Sequence, residues 1–412
     1  MNLKGIFFRV GLLIFISAFK CAWSQPQWAG LLHFSYQDGQ AAALQQFTDN
    51  HGGSGTFRIG QMTMFVDSDI TENIYFTGEI QSDLLSPNPD QNDFRIRSAA
   101  VTATNIPKWK TNIQIGRFNT VFGSHPDRRL PLDNYLFDAP LAYTYRVNLD
   151  PDGGWVPNTA RQNTGDFGVR QLSLIDKDMT QTGIKAFGRL NATKLHYAFS
   201  LTNNPPSNPR NVNINNGVST AMKLNWIADH STDFGFSYAQ GGYLNSLDAV
   251  TNVNNDNFNA MTGGNPLALN LRNTSSYQHY LYGFHWNWRR SRYEINSEII
   301  MSSFQVPNNT RDLDSQALYI QGKYNFTSNF FGAARYDVLD FNNTALVDPA
   351  NLNIARKWDD NVKRFEVGVG SFLNPSTLAK FTYQNTDSAY RNDAAGLTLD
   401  SNLVAGTITV IF

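Results

Sequence analysis

The sequence predicts an all-β fold, a closed antiparallel transmembrane β-barrel of about sixteen strands. Three observations lead there. Apolar and polar residues alternate along nearly the whole chain in runs of about ten, and helical spacing is scarce. The connections between runs are tight and long by turns, so short turns gather at one end of the molecule and long loops at the other. Beyond the N-terminus no apolar stretch approaches the roughly 18 residues of a spanning helix.

Composition fits this reading. The chain has 412 residues, 33 Lys+Arg against 34 Asp+Glu and one Cys. A formal charge of −1 gives no electrostatic footing for nucleic acid, and one Cys cannot pair within the chain. Only 16% of residues are charged, below the roughly 25% usual for soluble domains. A mean hydropathy of −0.37 suits a barrel, whose apolar half faces lipid while its polar half lines water. In hydrocarbon every backbone N–H and C=O must be paired internally, so a sheet spans only when it closes on itself.

Residues 1–24 read as a secretory signal. Lys4 and Arg9 precede an apolar stretch from Val10 to Phe19, and Ala22-Trp23-Ser24 places small residues at −3 and −1 of a cleavage site. Cys21 raises the alternative of lipid modification, but Lys20 stands where a small residue is needed. Residues 25–412 then form a single domain with no plug domain ahead of the first strand. The destination is the outer membrane of a Gram-negative bacterium, with turns on the periplasmic side and loops outside.

The strands fall near 28–36, 55–68, 72–84, 93–105, 110–118, 180–190, 193–203, 216–228, 232–243, 274–288, 291–304, 314–326, 329–340, 362–373, 376–386 and 400–412. In the second, Gly60, Met62 and Met64 change parity relative to Phe57 and Ile59, which predicts a bulge. Tyr280, Tyr282, Phe284, Trp286 and Trp288 share one parity. Trp28, Tyr36, Trp226, Tyr243, Trp288, Phe304 and Phe326, at segment ends, are expected in the interfacial girdles. Val404, Gly406, Ile408, Val410 and Phe412 end the chain on one parity and a terminal Phe, similar to the signal that outer-membrane proteins present to their insertion machinery.

A barrel of about sixteen strands is wide enough for an aqueous channel. The third long loop, 119–179, is the expected constriction. It carries Arg128, Arg129, Arg146, Arg161 and Arg170 beside Asp127, Asp133, Asp138, Asp150, Asp152 and Asp166, and opposed charges in a narrow passage set ion preference. On the wall, the polar parity gives inward Arg58, Arg95, Arg97, Lys185, Arg189, Lys194, Lys223, Lys323, Arg335, Arg364 and Lys380. Acids of that parity are Glu79, Asp83, Glu294, Glu298, Asp337 and Glu366. The surplus of bases predicts a weak anion preference.

The segment Ile115-Gly116-Arg117-Phe118-Asn119-Thr120-Val121-Phe122-Gly123 resembles the strand-to-loop segment of the phosphate-selective (O/P-type) and related porins. That resemblance implies a sixteen-stranded outer-membrane channel whose third loop folds inward, and assembly as a homotrimer. The sequence departs from the family's basic throat, because Asp residues in 119–179 are at least as numerous as Arg and Lys.

Other chemistry is thinly supported. Asp150-Pro151-Asp152-Gly153-Gly154 lacks the spaced ligands and distal Glu of a calcium loop and reads as a turn. His279 and His285 lie six residues apart on one strand, about 20 Å, too far to share a metal. Glu294 and Glu298 are about 13 Å apart, too far for glycosidase chemistry. No Gly-x-Ser-x-Gly elbow or Ser/His pairing is evident. No enzyme and no cofactor are expected. The expected partners are membrane lipid, the insertion machinery and small solutes or ions. The alternative is a structural barrel that sheathes or docks another exported protein, with 119–179 and 244–273 turned outward.

Overall fold

The computed structural model describes residues 25–39, 55–82, 94–106, 111–150, 154–155, 172–190, 194–209, 213, 215–245, 274–306, 311–346, 354–388 and 401–412. The signal segment and Asp83, Asp152, Arg161, Asp166 and Arg170 lie outside these residues, as does the Arg58 side chain.

Among the described residues twenty strands occur: β1 (Gln27–Gly39), β2 (Thr56–Thr71), β3 (Ile74–Ser82), β4 (Phe94–Ile106), β5 (Thr111–Asn119), β6 (Leu149–Asp150), β7 (Gly154–Trp155), β8 (Thr180–Arg189), β9 (Leu195–Thr202), β10 (Ser219–Ile227), β11 (Thr232–Gly242), β12 (Gln278–Arg290), β13 (Tyr293–Phe304), β14 (Leu313–Asn325), β15 (Phe330–Phe341), β16 (Asn343–Leu346), β17 (Ile354–Lys357), β18 (Val362–Asn374), β19 (Thr377–Ser388) and β20 (Ser401–Ile411). Sixteen of them form one closed antiparallel barrel in the order β1–β5, β8–β15, β18–β20, with β20 pairing back onto β1. β6–β7 and β16–β17 are small hairpins within two of the long loops, which periodicity did not reveal. No helix among the described residues is long and apolar enough to cross a membrane.

Alternation fixes the faces. On β18, Phe365, Val367 and Val369 are 39–45% exposed, while Arg364 and Glu366 between them are fully buried inside the barrel. The same outward parity holds for Tyr282 and Phe284 on β12 and for Ile408 on β20. The expected bulge is present. Between β1 and β2 the register passes from His33↔Gln61 to Phe34↔Ile59, leaving Gly60 extra. A period of two would otherwise turn one end of β2 inside out.

The girdle reading needs one correction. Trp28, Trp226 and Phe326 are exposed on the outer surface, but Tyr243 and Phe304 are wholly buried inside. Phe304 has the parity of Ser302 and Glu298, the inner one, and stacks on His279 with ring centroids 3.7 Å apart. Tyr243 lies one residue past β11 and donates its hydroxyl to the Gln305 carbonyl at 2.9 Å. Position at a segment end does not override the side on which the strand places the ring.

The barrel closes at its last residue. The Phe412 amide donates to the Gly30 carbonyl at 3.0 Å and the Gly30 amide to the Phe412 carbonyl at 2.7 Å. The Phe412 ring lies over Gly30, where any Cβ would collide with it.

Candidate functional site in the barrel interior

The chain leaves β5 through the segment singled out in the sequence, and each of its residues has a task. Gly116 has a φ of +130° and lies against the Ala99 carbonyl, where a Cβ has no room. Arg117 donates from Nε to the Arg97 carbonyl at 2.9 Å and to Thr180 Oγ1 at 3.1 Å. Phe118 is buried beneath the Lys185 ammonium, 5.1 Å from the ring centre. The Thr120 amide bonds to the Met179 carbonyl at 2.8 Å and closes the base of the loop. Phe122 packs against Gly283 of β12, five strands round the wall from β5. Gly123 has a φ of +70° and sits against Tyr143 and Glu298.

From there the loop runs inside the barrel. His125–Arg128 form a turn of 3₁₀ helix and Leu141–Thr144 one turn of α-helix. Val121, Phe122, Leu141, Tyr143, Tyr145 and Val147 join one buried cluster with inward residues of the wall, among them Ala239, Leu281, Ile300 and Phe341. Most of this segment has no ladder to satisfy its backbone, so its N–H and C=O groups need other partners. Charged side chains of the wall supply them.

Carboxylates take the N–H groups. The Ser124 amide donates to Glu298 Oε1 at 3.0 Å, and the Tyr143 hydroxyl to Oε2 at 2.9 Å. The Phe137 amide donates to Glu366 Oε1 at 2.8 Å. Asp359, just beyond β17, accepts the Asn148 amide at 2.7 Å, the Asn148 side chain at 3.0 Å and the Tyr145 hydroxyl at 2.9 Å. Bases take the carbonyls. Lys380 Nζ donates to Pro131, Asn134 and Leu136 at 2.9, 2.8 and 3.0 Å. Arg335 donates to the Asp138 and Ala139 carbonyls at 2.9 and 3.2 Å, and Arg364 also reaches that of Ala139. Arg335 and Arg364 share Asp337, at 2.9 and 3.1 Å, and Arg335 pairs with Glu366 at 2.5 Å. Arg364 also lies 3.8 Å from Asp138.

The remaining expected site residues form smaller pairs. Arg129 clasps both oxygens of Glu79. Arg97 reaches the Asp178 carbonyl at 2.5 Å, and Arg95 the Asp178 carboxylate at 2.9 Å. Asp127 is exposed and meets Lys223 at 2.9 Å, while Arg128 stands 3.9 Å from Glu294. Lys323 lies over the rings of Tyr135 and Phe331 at 4.2 and 4.7 Å. Asp133 is exposed, and Arg146 is half-buried in a bridge to Ser173. Arg189 and Lys194 stand exposed at the turn end, where Lys194 donates to the Ala228 carbonyl at 2.6 Å. The structure thus gathers Arg97, Arg335, Arg364 and Lys380 around the loop, joins the loop's Arg129 to Glu79 of the wall, and keeps Arg189 and Lys194 apart from it.

Burial shifts the loop's own titratable groups. His125 is held well below the usual histidine value by burial, with Arg335, Arg128 and Arg364 adding to it. Burial and the neighbouring Asp178 push Asp176 up to about 6. Asp178 is itself buried, yet Arg95 and Arg97 hold it below the ordinary carboxylate range.

Sequence reasoning missed two features. His279 lies between two hydroxyls, Nδ1 2.9 Å from Ser207 Oγ and Nε2 2.8 Å from Ser302 Oγ. The group is fully buried and ties the segment after β9 to β13. The second is Asp359, whose partners lie more than 200 residues away. No sequence periodicity links such distant positions. Among the described residues no group of three or more His, Cys, Asp or Glu is placed to hold a metal. The Asp150–Gly154 motif forms the β6–β7 hairpin, Asp150 pairing with Gly154, and its turn lies outside the described residues.

No family model and no curated protein matches the sequence. Solved structures match along nearly its whole length. The anion-selective porin from Comamonas acidovorans has a TM-score of 0.55 at 9% identity, covering 95% of this chain and 100% of that one. The outer membrane channel DcaP of Acinetobacter baumannii gives 0.56 at 11% identity, covering 95% and 98%. OmpF of Salmonella typhi, solved with daunomycin, gives 0.53 at 10% identity, covering 94% and 97%. Likeness at these identities is likeness of fold, and the chain accordingly has the closed sixteen-stranded barrel fold of the outer-membrane porins.

Proposed function

We propose that the protein is an outer-membrane porin, a water-filled channel for passive diffusion of small hydrophilic solutes or ions, narrowed by the loop 119–179. The observation that carries this reading is a closed barrel whose apolar face looks outward and whose polar interior receives that loop from β5 round to β19. The mechanism is partition and electrostatics, with no catalytic step and no cofactor. The buried Ser207–His279–Ser302 group lacks both an acid partner among its hydrogen bonds and access for a substrate, and so favours a structural role.

The inward bases that suggested an anion preference are partly committed. Arg335, Arg364 and Lys380 spend their donors on the loop and on Asp337 and Glu366. The bias toward anions in this proposal is therefore slight and rests on Lys185 and Lys323, since Lys223 pairs with Asp127 and Arg128 stands by Glu294. Kinship with the phosphate-selective subclass rests on the Ile115–Gly123 segment alone. The rest of the proposal is a cleaved signal over 1–24, delivery through the terminal Phe412 and assembly as a homotrimer. The sheath reading gains no support, because the loop already occupies the interior that a threaded partner would need.

Purified protein in a planar bilayer should give discrete conductance steps without any partner, and deletion of 124–176 should enlarge them. Silent bilayers from correctly folded protein would end the channel reading. Unchanged steps after the deletion would end the narrowing role, and clear cation selectivity would end the anion bias.

A further inference from the structure

The described turns are unevenly charged. The β12–β13 turn brings Arg289, Arg290 and Arg292 within four residues. The β2–β3 end carries Asp67, Asp69 and Glu72, all exposed. The β14–β15 and β18–β19 turns, Thr327-Ser328-Asn329 and Pro375-Ser376, carry no charge. On the neighbouring β10–β11 turn, Asp229 accepts the Ser231 amide at 2.6 Å. Arg289 has the inward parity and is spent on Glu294, at 3.1 and 2.9 Å. Arg290 and Arg292 are exposed, and neither side chain has a hydrogen bond or ion pair among the described residues. Alternation puts Arg290 on the lipid side, in the parity of Tyr282 and Phe284, whose rings are exposed on the outer face. Arg189 and Lys323, at the same end of the barrel, have the inward parity and stand opposite His196 and Glu294.

Beside this turn runs a shelf of rings on the outer face. Arg290 pairs across the hairpin with Tyr293, and Tyr293 with Tyr324. Ring centroids lie 4.8 Å apart from Tyr293 to Tyr324, 5.0 Å from Tyr324 to Phe326 and 5.4 Å from Phe326 to Phe330. Tyr293, Phe326 and Phe330 are 39–53% exposed, so the shelf is open to lipid. Two residues before Tyr324 on the same face, Gly322 leaves the surface open, with no atom within 4 Å of where a Cβ would stand. Rings of this kind sit at the headgroup level of a membrane, and guanidinium groups beside them stand where lipid phosphates lie. A guanidinium fork matches a phosphate with paired hydrogen bonds, and each base at an anionic lipid surface adds attraction. A free phosphate could use the same forks, but the rings offer it nothing, whereas they give acyl chains a surface to lie on.

We propose that Arg290, Arg292 and the shelf of Tyr293, Tyr324, Phe326 and Phe330 bind an anionic phospholipid of the periplasmic leaflet, its phosphate on the arginines and its acyl chains along the rings. A zwitterionic phospholipid brings an ammonium that the two guanidinium groups repel, so it is held less firmly. The acidic β2–β3 end repels the same headgroup. The inference needs the barrel's seat in the outer membrane with its turns toward the periplasm, and does not need the pore to conduct.

The test offers folded full-length protein in detergent either phosphatidylglycerol or phosphatidylcholine with identical acyl chains, and counts retained lipid by native mass spectrometry. Phosphatidylglycerol should be held about tenfold more strongly. Arg290→Gln combined with Arg292→Gln should remove most of that preference, while lysine at both positions should keep part of it, because the charge stays and the fork goes. Glu72→Gln should leave it unchanged, and glycerol 1-phosphate should not displace the bound lipid. Heat-dependent gel mobility verifies that each variant folds. Equal retention of the two lipids, a preference untouched in the folded double-glutamine variant, or displacement by glycerol 1-phosphate overturns the inference. Conductance steps without a lipid preference strike this inference alone, and a lipid preference in silent bilayers strikes the channel reading alone.

Discussion

Tyr143 donates its hydroxyl to the Glu298 carboxylate at 2.9 Å, across 155 residues of sequence and from the loop to the barrel wall. The other carboxylate oxygen takes the Ser124 amide, so one wall residue fixes two turns of the loop. Replacing Tyr143 by Phe removes one donor from a buried carboxylate and should cost about 1–3 kcal/mol of loop anchoring. The expected readout is noisier, larger single-channel conductance with the barrel itself intact. Glu298→Gln should act in the same direction. Conductance traces indistinguishable from wild type would show that the loop is held elsewhere.

Lys380 offers a second anchor. Its ammonium satisfies three loop carbonyls at once, and Met in its place would leave all three buried without a donor. Each lost bond counts for about 1 kcal/mol or more, so Lys380→Met should release the segment 131–136. Protease accessibility of that segment in intact vesicles measures this. Lys380→Arg should retain part of the protection, because a guanidinium still donates to carbonyls.

Closure of the wall depends on a glycine. Phe412 lies over Gly30, and Gly30→Leu should obstruct the final β20–β1 pairing. Leu31 to Gly39 of β1 would then lose their β20 neighbour and keep only β2, an open edge that lipid cannot satisfy. The measurement is the fraction of heat-modifiable barrel after refolding, expected to fall sharply.

Acid should loosen the loop. His125 is kept neutral by burial and by the arginines around it, so its folded-state value lies below that of a released histidine. The released form then binds protons more readily, and the anchored state loses stability as pH falls below about 6.5. Asp176, raised to about 6, works the other way, because its anchored form holds a proton that the released form gives up. Its segment is held best at low pH and loses stability as pH climbs from about 4 toward 6. Conductance followed from pH 7 down to 5 should rise, and His125→Asn should flatten that rise. A fall in conductance on acidification would assign the dominant effect to Asp176.

The sequence disclosed the wall far better than its contents. The parity of Phe365, Val367 and Val369 against Arg364 and Glu366 is local information, because a strand's faces follow from a period of two. The bulge at Gly60 was legible for the same reason. That same parity placed Arg335, Arg364, Glu298 and Glu366 inside. It could not tell what they meet there, since Phe137, Ala139 and Tyr143 approach them from more than 150 residues away. The charge count of the lumen was thus read as a free field for ions, whereas much of it is spent on backbone groups of the loop. The Phe304 misplacement has the other origin, trust in position over parity.

A loop held by its host's charges is not a portable part. Grafted onto another barrel, 119–179 would arrive with carbonyls and amides seeking a lysine, two arginines and two glutamates at matching heights. Design by loop exchange would have to move those wall positions with it, and drift at one of them during divergence calls for a compensating change in the strand or turn it serves.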